Sequence, residues 1–223
     1  MNPSHAEHKN AIGLKAPVET ILGFDPACDP SFSSAMLADV LAHLPEGRRP
    51  SVAFGRARAA VVVLLRSPGF RMTLLYRVSY LLRNRLGPIG RVPSAILYWI
   101  IRHHYGCSIA PTAKLHGGLI FPHPQGIVIG PDALVGPRAW IFQNVTIGGS
   151  PNREGLPTIG ADARIFPGAV VVGPIQVGRN VAIGANSVVT KNVPAASRVR
   201  PASVEVMPIP EAQRVGETLD KPT

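Results

Sequence analysis

Acidic residues are what this chain lacks over a long internal stretch. No Asp or Glu occurs between Gly47 and Pro131, an interval that holds eleven arginines and Lys114. The whole chain carries 23 basic against 13 acidic residues, a formal charge of +10, and the excess is concentrated in that interval. Arginines spaced along amphipathic helices attract anionic lipid headgroups or an acidic glycan; a plainly solvated face is the alternative. Nucleic acid is not the expected partner. Aromatics make up only 6% of the residues, and no nucleic-acid motif or stacking set accompanies the charge.

Cysteine is scarce too. Cys28 and Cys107 are far apart and have no metal-ligand spacing, which excludes a disulfide scaffold or cysteine zinc site and fits a reducing compartment. Long apolar runs are missing. The most apolar stretches, Ala59 to Leu65 and Ser94 to Ile101, fall far short of the ~20 residues a membrane span needs. The opening MNPSHAEHKNAIGLK has no apolar core of signal-peptide length. These readings predict a cytoplasmic protein, at most lying on the inner face of a membrane.

What is present is a six-residue period. From Ile159 the text divides into IGADAR, IFPGAV, VVGPIQ, VGRNVA, IGANSV and VTKNVP. An earlier set reads IGPDAL, VGPRAW and IFQNVT from Ile129, and a looser one starts at Ile109 and Leu115. The first position is always Ile, Leu or Val and the fifth is small or aliphatic, with Gly, Asn, Asp and Pro between them as turn residues. A helix needs apolar spacing of 3 and 4, and an ordinary strand needs spacing 2. Period six fits neither. It predicts a prism-shaped parallel β-helix with three hexads per turn, each turn burying its apolar face against the next. A β-sandwich rich in Gly/Pro turns is the weaker alternative. The phase slips by two residues between Phe121 and Ile129, around His123.

The chain divides in prediction into a mobile arm over 1–31, an α-helical region over 32–106, the β-helix over 107–200 and a tail over 201–223. Within the helical region the patterns predict helices at Ser33–His43 (capped by Ser33 or Ser34), Arg56–Arg66, Arg71–Arg85 and Ser94–His104, with Pro and Gly as breakers.

The segments HPQGIVIG and IFQNVTIGG, the run IGANSVV and the closing VP resemble the serine acetyltransferase branch of the hexapeptide-repeat acyltransferases. They resemble still more closely the serine-acetyltransferase-like enzymes of surface-polysaccharide loci, the colanic-acid type included. The resemblance runs over roughly 67–201. It implies a left-handed β-helix, a homotrimer that in some members pairs into a dimer of trimers, and acetyl-CoA in the groove between neighbouring subunits. It also implies that His123, in FPHPQG, is the catalytic base. Transfer of an acetyl group from a thioester to a hydroxyl needs a base for the hydroxyl proton, a donor for the oxyanion and close contact of the substrates. Histidine suits the first task because its pKa lies near neutrality.

Three positions depart from the serine-enzyme pattern. Ser108 stands where that pattern has the Asp that orients the histidine. Pro122 replaces the Asp just before it. The Arg-His pair of the acceptor site falls near Gly155 and Leu156, with Arg153 and Glu154 as the polar residues in reach of a substrate. For the CoA side the resemblance points to Gly148, Gly149 and Ser150, and to Pro167, Gly168 and Ala185; the family's basic residue near the pantetheine is Ala182 here, with Arg179 or Lys191 as substitutes. Changed acceptor positions beside a retained histidine predict an O-acetyltransferase acting on a sugar hydroxyl of a surface polysaccharide or its precursor, with a serine O-acetyltransferase as the alternative. A non-catalytic scaffold is the reading of another class, since the histidine's acidic partner is lost. A γ-type carbonic anhydrase needs three histidines around zinc, and only His116 and His123 lie in the repeats; no metal is expected.

Overall fold

The computed structural model describes residues 8–9, 15–16, 18–25, 31–45, 53–151 and 153–201. A two-residue antiparallel pair, β1 (His8–Lys9) and β2 (Lys15–Ala16), precedes five helices: α1 (Val18–Leu22), α2 (Phe32–Ala42), α3 (Ala53–Arg66), α4 (Pro68–Arg85) and α5 (Gly87–Tyr105). From Ser108 onward the chain is a coil of two- and three-residue strands.

The strands fall on three faces in rotation, with the single bridges at Ile120 and Val193 filling the two places that no strand occupies. The first face stacks β3 (Ser108–Ile109), β5 (Val128–Ile129), β8 (Thr146–Gly148), β11 (Val170–Val172) and β14 (Val188–Val189). The second stacks β4 (Lys114–Leu115), β6 (Leu134–Val135), β9 (Thr158–Ile159) and β12 (Gln176–Val177), and the third β7 (Trp140–Ile141), β10 (Arg164–Ile165), β13 (Ala182–Ile183) and β15 (Arg198–Val199). All pairs are parallel. Val128 sits beside Thr146 and Thr158 beside Gln176, one eighteen-residue turn further on. This is the parallel β-helix that the period demands.

Its core is the first position of the hexads. Ile109, Leu115, Ile129, Val135, Ile141, Ile147, Ile159, Ile165, Val171, Val177, Ile183 and Val189 are 0–5% exposed, each contributing about 1.5–3 kcal/mol from burial. The fourth position turns the corner in the left-handed backbone region. Asp132, Asn144, Asp162, Asn180 and Asn186 have φ between 53° and 62° there, a conformation that Asn and Asp tolerate better than other side-chain-bearing residues. Arg138 at 58° and Ala196 at 54° are the exceptions; the Arg138 guanidinium is held by Asp162 on the next turn through two bonds of 2.6 and 2.7 Å.

Several helix boundaries differ from expectation. Ser31, not Ser33 or Ser34, caps α2, accepting from Ser34 N. Ser67-Pro68 ends α3 and also starts α4: Ser67 Oγ accepts from Phe70 N and Pro68 occupies the first turn. The last helix begins at Gly87 rather than Ser94 and runs through Pro93.

The expectation of a mobile arm is corrected for 18–25; the rest of 1–31 lies largely outside the described residues, as does the tail from 202. Leu22 is fully buried, Ala161 N donates to Leu22 O at 2.7 Å, and Arg179 N donates to Ile21 O at 2.8 Å. The coil's edge has unpaired amides, and this short segment satisfies two of them.

A buried ion pair joins helices to coil. Asp39 on α2 is 0% exposed and Arg77 on α4 4%. Arg77 Nε donates to Asp39 at 3.0 Å, its Nη1 to Leu115 O, and its Nη2 to His116 O at 2.6 Å. Asp39 Oδ1 accepts from Gly118 N at 2.7 Å and Leu119 N at 3.0 Å. Both charges are thus fully hydrogen-bonded, the condition under which a buried pair is tolerated.

Candidate active site

The two-residue slip is a bulge at one edge of the prism. Ser108 pairs with Val128, twenty residues on, where the regular turn takes eighteen. The surplus is the segment before β5: Phe121 and Pro124 are buried, Pro122 is half-buried and His123 is exposed. Gln125 N donates to His123 O at 2.8 Å, closing the turn. The imidazole therefore faces outward, and it makes no side-chain hydrogen bond among the described residues. The helical region braces this bulge from behind. Gly69 at the start of α4 lies so close to the Phe121 carbonyl that a Cβ there would overlap it.

Ser108, the residue in place of the family's orienting acid, bonds elsewhere. Its hydroxyl and the Tyr98 hydroxyl of α5 are 2.6 Å apart. The pair is neutral, so it offers no charge to an imidazolium.

The remaining predicted residues divide between the two edges of the first face. Pro167, Gly168 and Ala185 lie on the leading edge, in the turns that enter the face, above His123. Asn144 N donates to Gln125 O, Gly168 N to Gln143 O and Asn186 N to Pro167 O, at 2.9–3.1 Å, so these turns form one stack. Gly148, Gly149 and Ser150 lie on the trailing edge, where the chain leaves the face. Gly173 N donates to Gly148 O at 3.0 Å and Arg153 N to Ser150 O at 3.3 Å. Arg153 Nη1 donates to Thr190 O at 3.2 Å on the same edge. Glu154 is exposed, and Leu156 is half-buried against the coil core. One chain therefore gathers His123 with half of the predicted cofactor residues. The other half and the acceptor loop sit across the first face.

The hexapeptide model of bacterial transferases (six repeats) matches residues 157–191. Serine acetyltransferase of Synechococcus elongatus is 36% identical over 183 residues, covering 74% of this chain and 73% of that one. The chain belongs to the serine acetyltransferase family. Neisseria gonorrhoeae serine acetyltransferase, solved in complex with serine, superimposes with a TM-score of 0.64 at 29% identity, over 79% of this chain and 68% of that one. A serine acetyltransferase in complex with CoA gives 0.62 at 30% identity, over 75% and 66%. The chain thus spans about two thirds of the length of these solved relatives. They carry the fold and the acyltransferase class.

Among the described residues no three His, Cys, Asp or Glu side chains stand together as a metal site. Burial pushes the Cys107 thiol up from its ordinary pKa, with a backbone hydrogen bond at Ile127 opposing, so it is a poor nucleophile. Sequence reasoning did not find the roughly 1110 Å³ groove between α2 and the third face, lined by Trp140, Arg138, Arg164 and Arg179 among others. Arg164 lies over the Trp140 ring at 6.0 Å. The residues of the His123 bulge do not line it.

Proposed function

We propose that this protein is an acetyl-CoA-dependent O-acetyltransferase, that His123 is its general base, and that the hydroxyl of serine is its acceptor. The observation that carries the reading is an exposed imidazole held out by a rigid Pro-flanked bulge, on the edge that also bears Pro167, Gly168 and Ala185. The imidazole takes the hydroxyl proton as the oxygen attacks the thioester carbonyl. A tetrahedral oxyanion forms, collapses, and expels CoA thiolate, which takes the proton back from the imidazolium. The sequence put a sugar hydroxyl ahead of serine. The relatives, named as serine acetyltransferases, favour serine instead.

The division of residues between two edges supports an assembly. A site that uses both is completed when the trailing edge of a second copy lies beside the leading edge of the first. A head-to-tail contact makes a ring when its rotation closes, and we propose a homotrimer with acetyl-CoA between neighbours; pairing of trimers would build on it. We place the protein in the cytoplasm as part of the same proposal.

A second reading keeps the sugar acceptor of polysaccharide-locus enzymes. It is favoured by Ser108 and Pro122 in place of acids, and by Leu156 packed onto the coil where the serine enzymes carry charge. The two are separated by following thiol release from acetyl-CoA with L-serine and with a panel of saccharides. Turnover with serine supports the first reading and turnover with saccharides alone the second. His123→Ala is expected to lower turnover by about 10²–10⁴-fold with CoA binding retained in calorimetry. A chain that neither binds CoA nor turns over any acceptor is the non-catalytic scaffold.

A further inference from the structure

We propose that the outward stripe of α5 is an interfacial anchor that seats this protein on an anionic lipid bilayer. One side of α5 belongs to the body of the protein. Gly90, Ser94 and Ile101 are buried, and Ser79 Oγ donates to Ser94 O at 3.1 Å. The opposite side carries Ile89, Val92, Ile96 and Trp99, exposed by 83, 68, 55 and 59%. Their spacing of three, four and three residues keeps them on one stripe of a helix. Arg85, Arg91 and Arg102 are exposed around it. A similar stripe runs along α3, with Val61 at 55% and Leu65 at 72% exposure beside Arg58 and Arg66.

Apolar side chains this large are not left in water in a row without a partner to cover them. The surrounding charge identifies the partner. With no Asp or Glu between Gly47 and Pro131, every formal charge on these helices is attracted to anionic headgroups. A second copy applied through the same stripe would bring arginines against arginines, a like-charge contact that costs affinity. Tryptophan with arginine flanks is the composition of a helix that lies in the headgroup boundary. The anchor lies on the bilayer and does not cross it. Among the described residues no single helix is long and apolar enough to span a membrane, and α5 is interrupted by Arg91, Pro93 and Arg102. This inference is independent of the acceptor proposed above.

The test is sedimentation of the full chain with vesicles of phosphatidylglycerol and phosphatidylcholine, against vesicles of phosphatidylcholine alone. The chain is expected to pellet with the first and not the second, and to be released as salt rises. The double variant I96D/W99D is expected to abolish pelleting. R91Q/R102Q is expected to weaken it by about fivefold for each arginine. Both variants keep their far-ultraviolet circular dichroism and their thiol-release rate in solution. In a Trp140→Phe background, Trp99 emission shifts to the blue on anionic vesicles. Equal pelleting with both vesicle types, or with neither, overturns the proposal. So does a wild-type sedimentation-velocity mass that falls on I96D/W99D substitution, because the stripe is then covered by a second copy.

Discussion

The coil and the helices solve the same problem in opposite ways. In the coil every first-position aliphatic points inward and is 0–5% exposed, and solvent meets corner Asn and Asp together with outward strand side chains such as Trp140, Arg164 and Val188. In the helical region large apolar residues such as Ile89 and Leu65 face outward, while the ion pair of Asp39 and Arg77 is buried at the joint. The coil closes on itself because each turn covers the one below, so repetition alone suffices. The helices do not repeat in this way. They meet the coil through apolar packing of Met72, Tyr76 and Ile101 and through directed polar bonds to Leu115, His116, Gly118 and Leu119, and they keep an apolar face free for something else.

The contrast can be broken most severely at the joint. Asp39→Ala leaves the Arg77 guanidinium buried without its carboxylate and orphans the amides of Gly118 and Leu119. A loss of about 3–5 kcal/mol is expected, read as a lower urea midpoint. If the helices are held by that grip and the coil by stacking, near-ultraviolet signal from Trp99 disappears at lower urea than the β-signal at far-ultraviolet wavelengths. Coincident loss of both at the wild-type midpoint would show that the pair is not the fastening.

Within the coil, Ile147→Ala removes a fully buried side chain from the stack of the first face. Neighbouring turns cannot collapse without breaking the pairing of Val128 and Val170 with Thr146. A cost of about 2–5 kcal/mol is expected in equilibrium denaturation. A loss under about 1 kcal/mol would mean that the turns relax independently.

The smallest effect carries the opposite sign. Ser187 occupies an inward fifth position where the other hexads have Ala, Val, Ile or Leu. It is 3% exposed, and its hydroxyl has no hydrogen-bond partner among the described residues. Ser187→Ala removes a desolvated group, and stability is expected to rise by about 1 kcal/mol, visible as a higher thermal midpoint.

The legibility of the chain follows the same division. The hexads of Ile129 and Ile159 could be read because their burial is set by residues six positions apart, a separation that the text itself displays. The bulge at His123 could be read for the same reason, since it is a break in a visible phase. The helix starts were harder. Ser67 and Pro68 both terminate α3 and cap α4, and a breaker reads the same in either role. The segment 18–25 looked unattached because its partners, Ala161 and Arg179 through their amides and His116 against the Phe24 ring, are far along the chain and leave no short-range mark in the text.

Sequence by itself determined the period, hence the parallel β-helix, the inward stack and the outward imidazole at the phase slip. These are consequences of side-chain size and backbone preference repeated at short range. Tertiary structure decided which long-range partners meet. It gave Ser108 to Tyr98, gave the lone acid of α2 to Arg77, divided the predicted cofactor residues between the two edges of one face, and left the α5 stripe uncovered. Each of those outcomes depends on how helices of similar apolar content come to rest on a finished coil, and short-range pattern does not encode that.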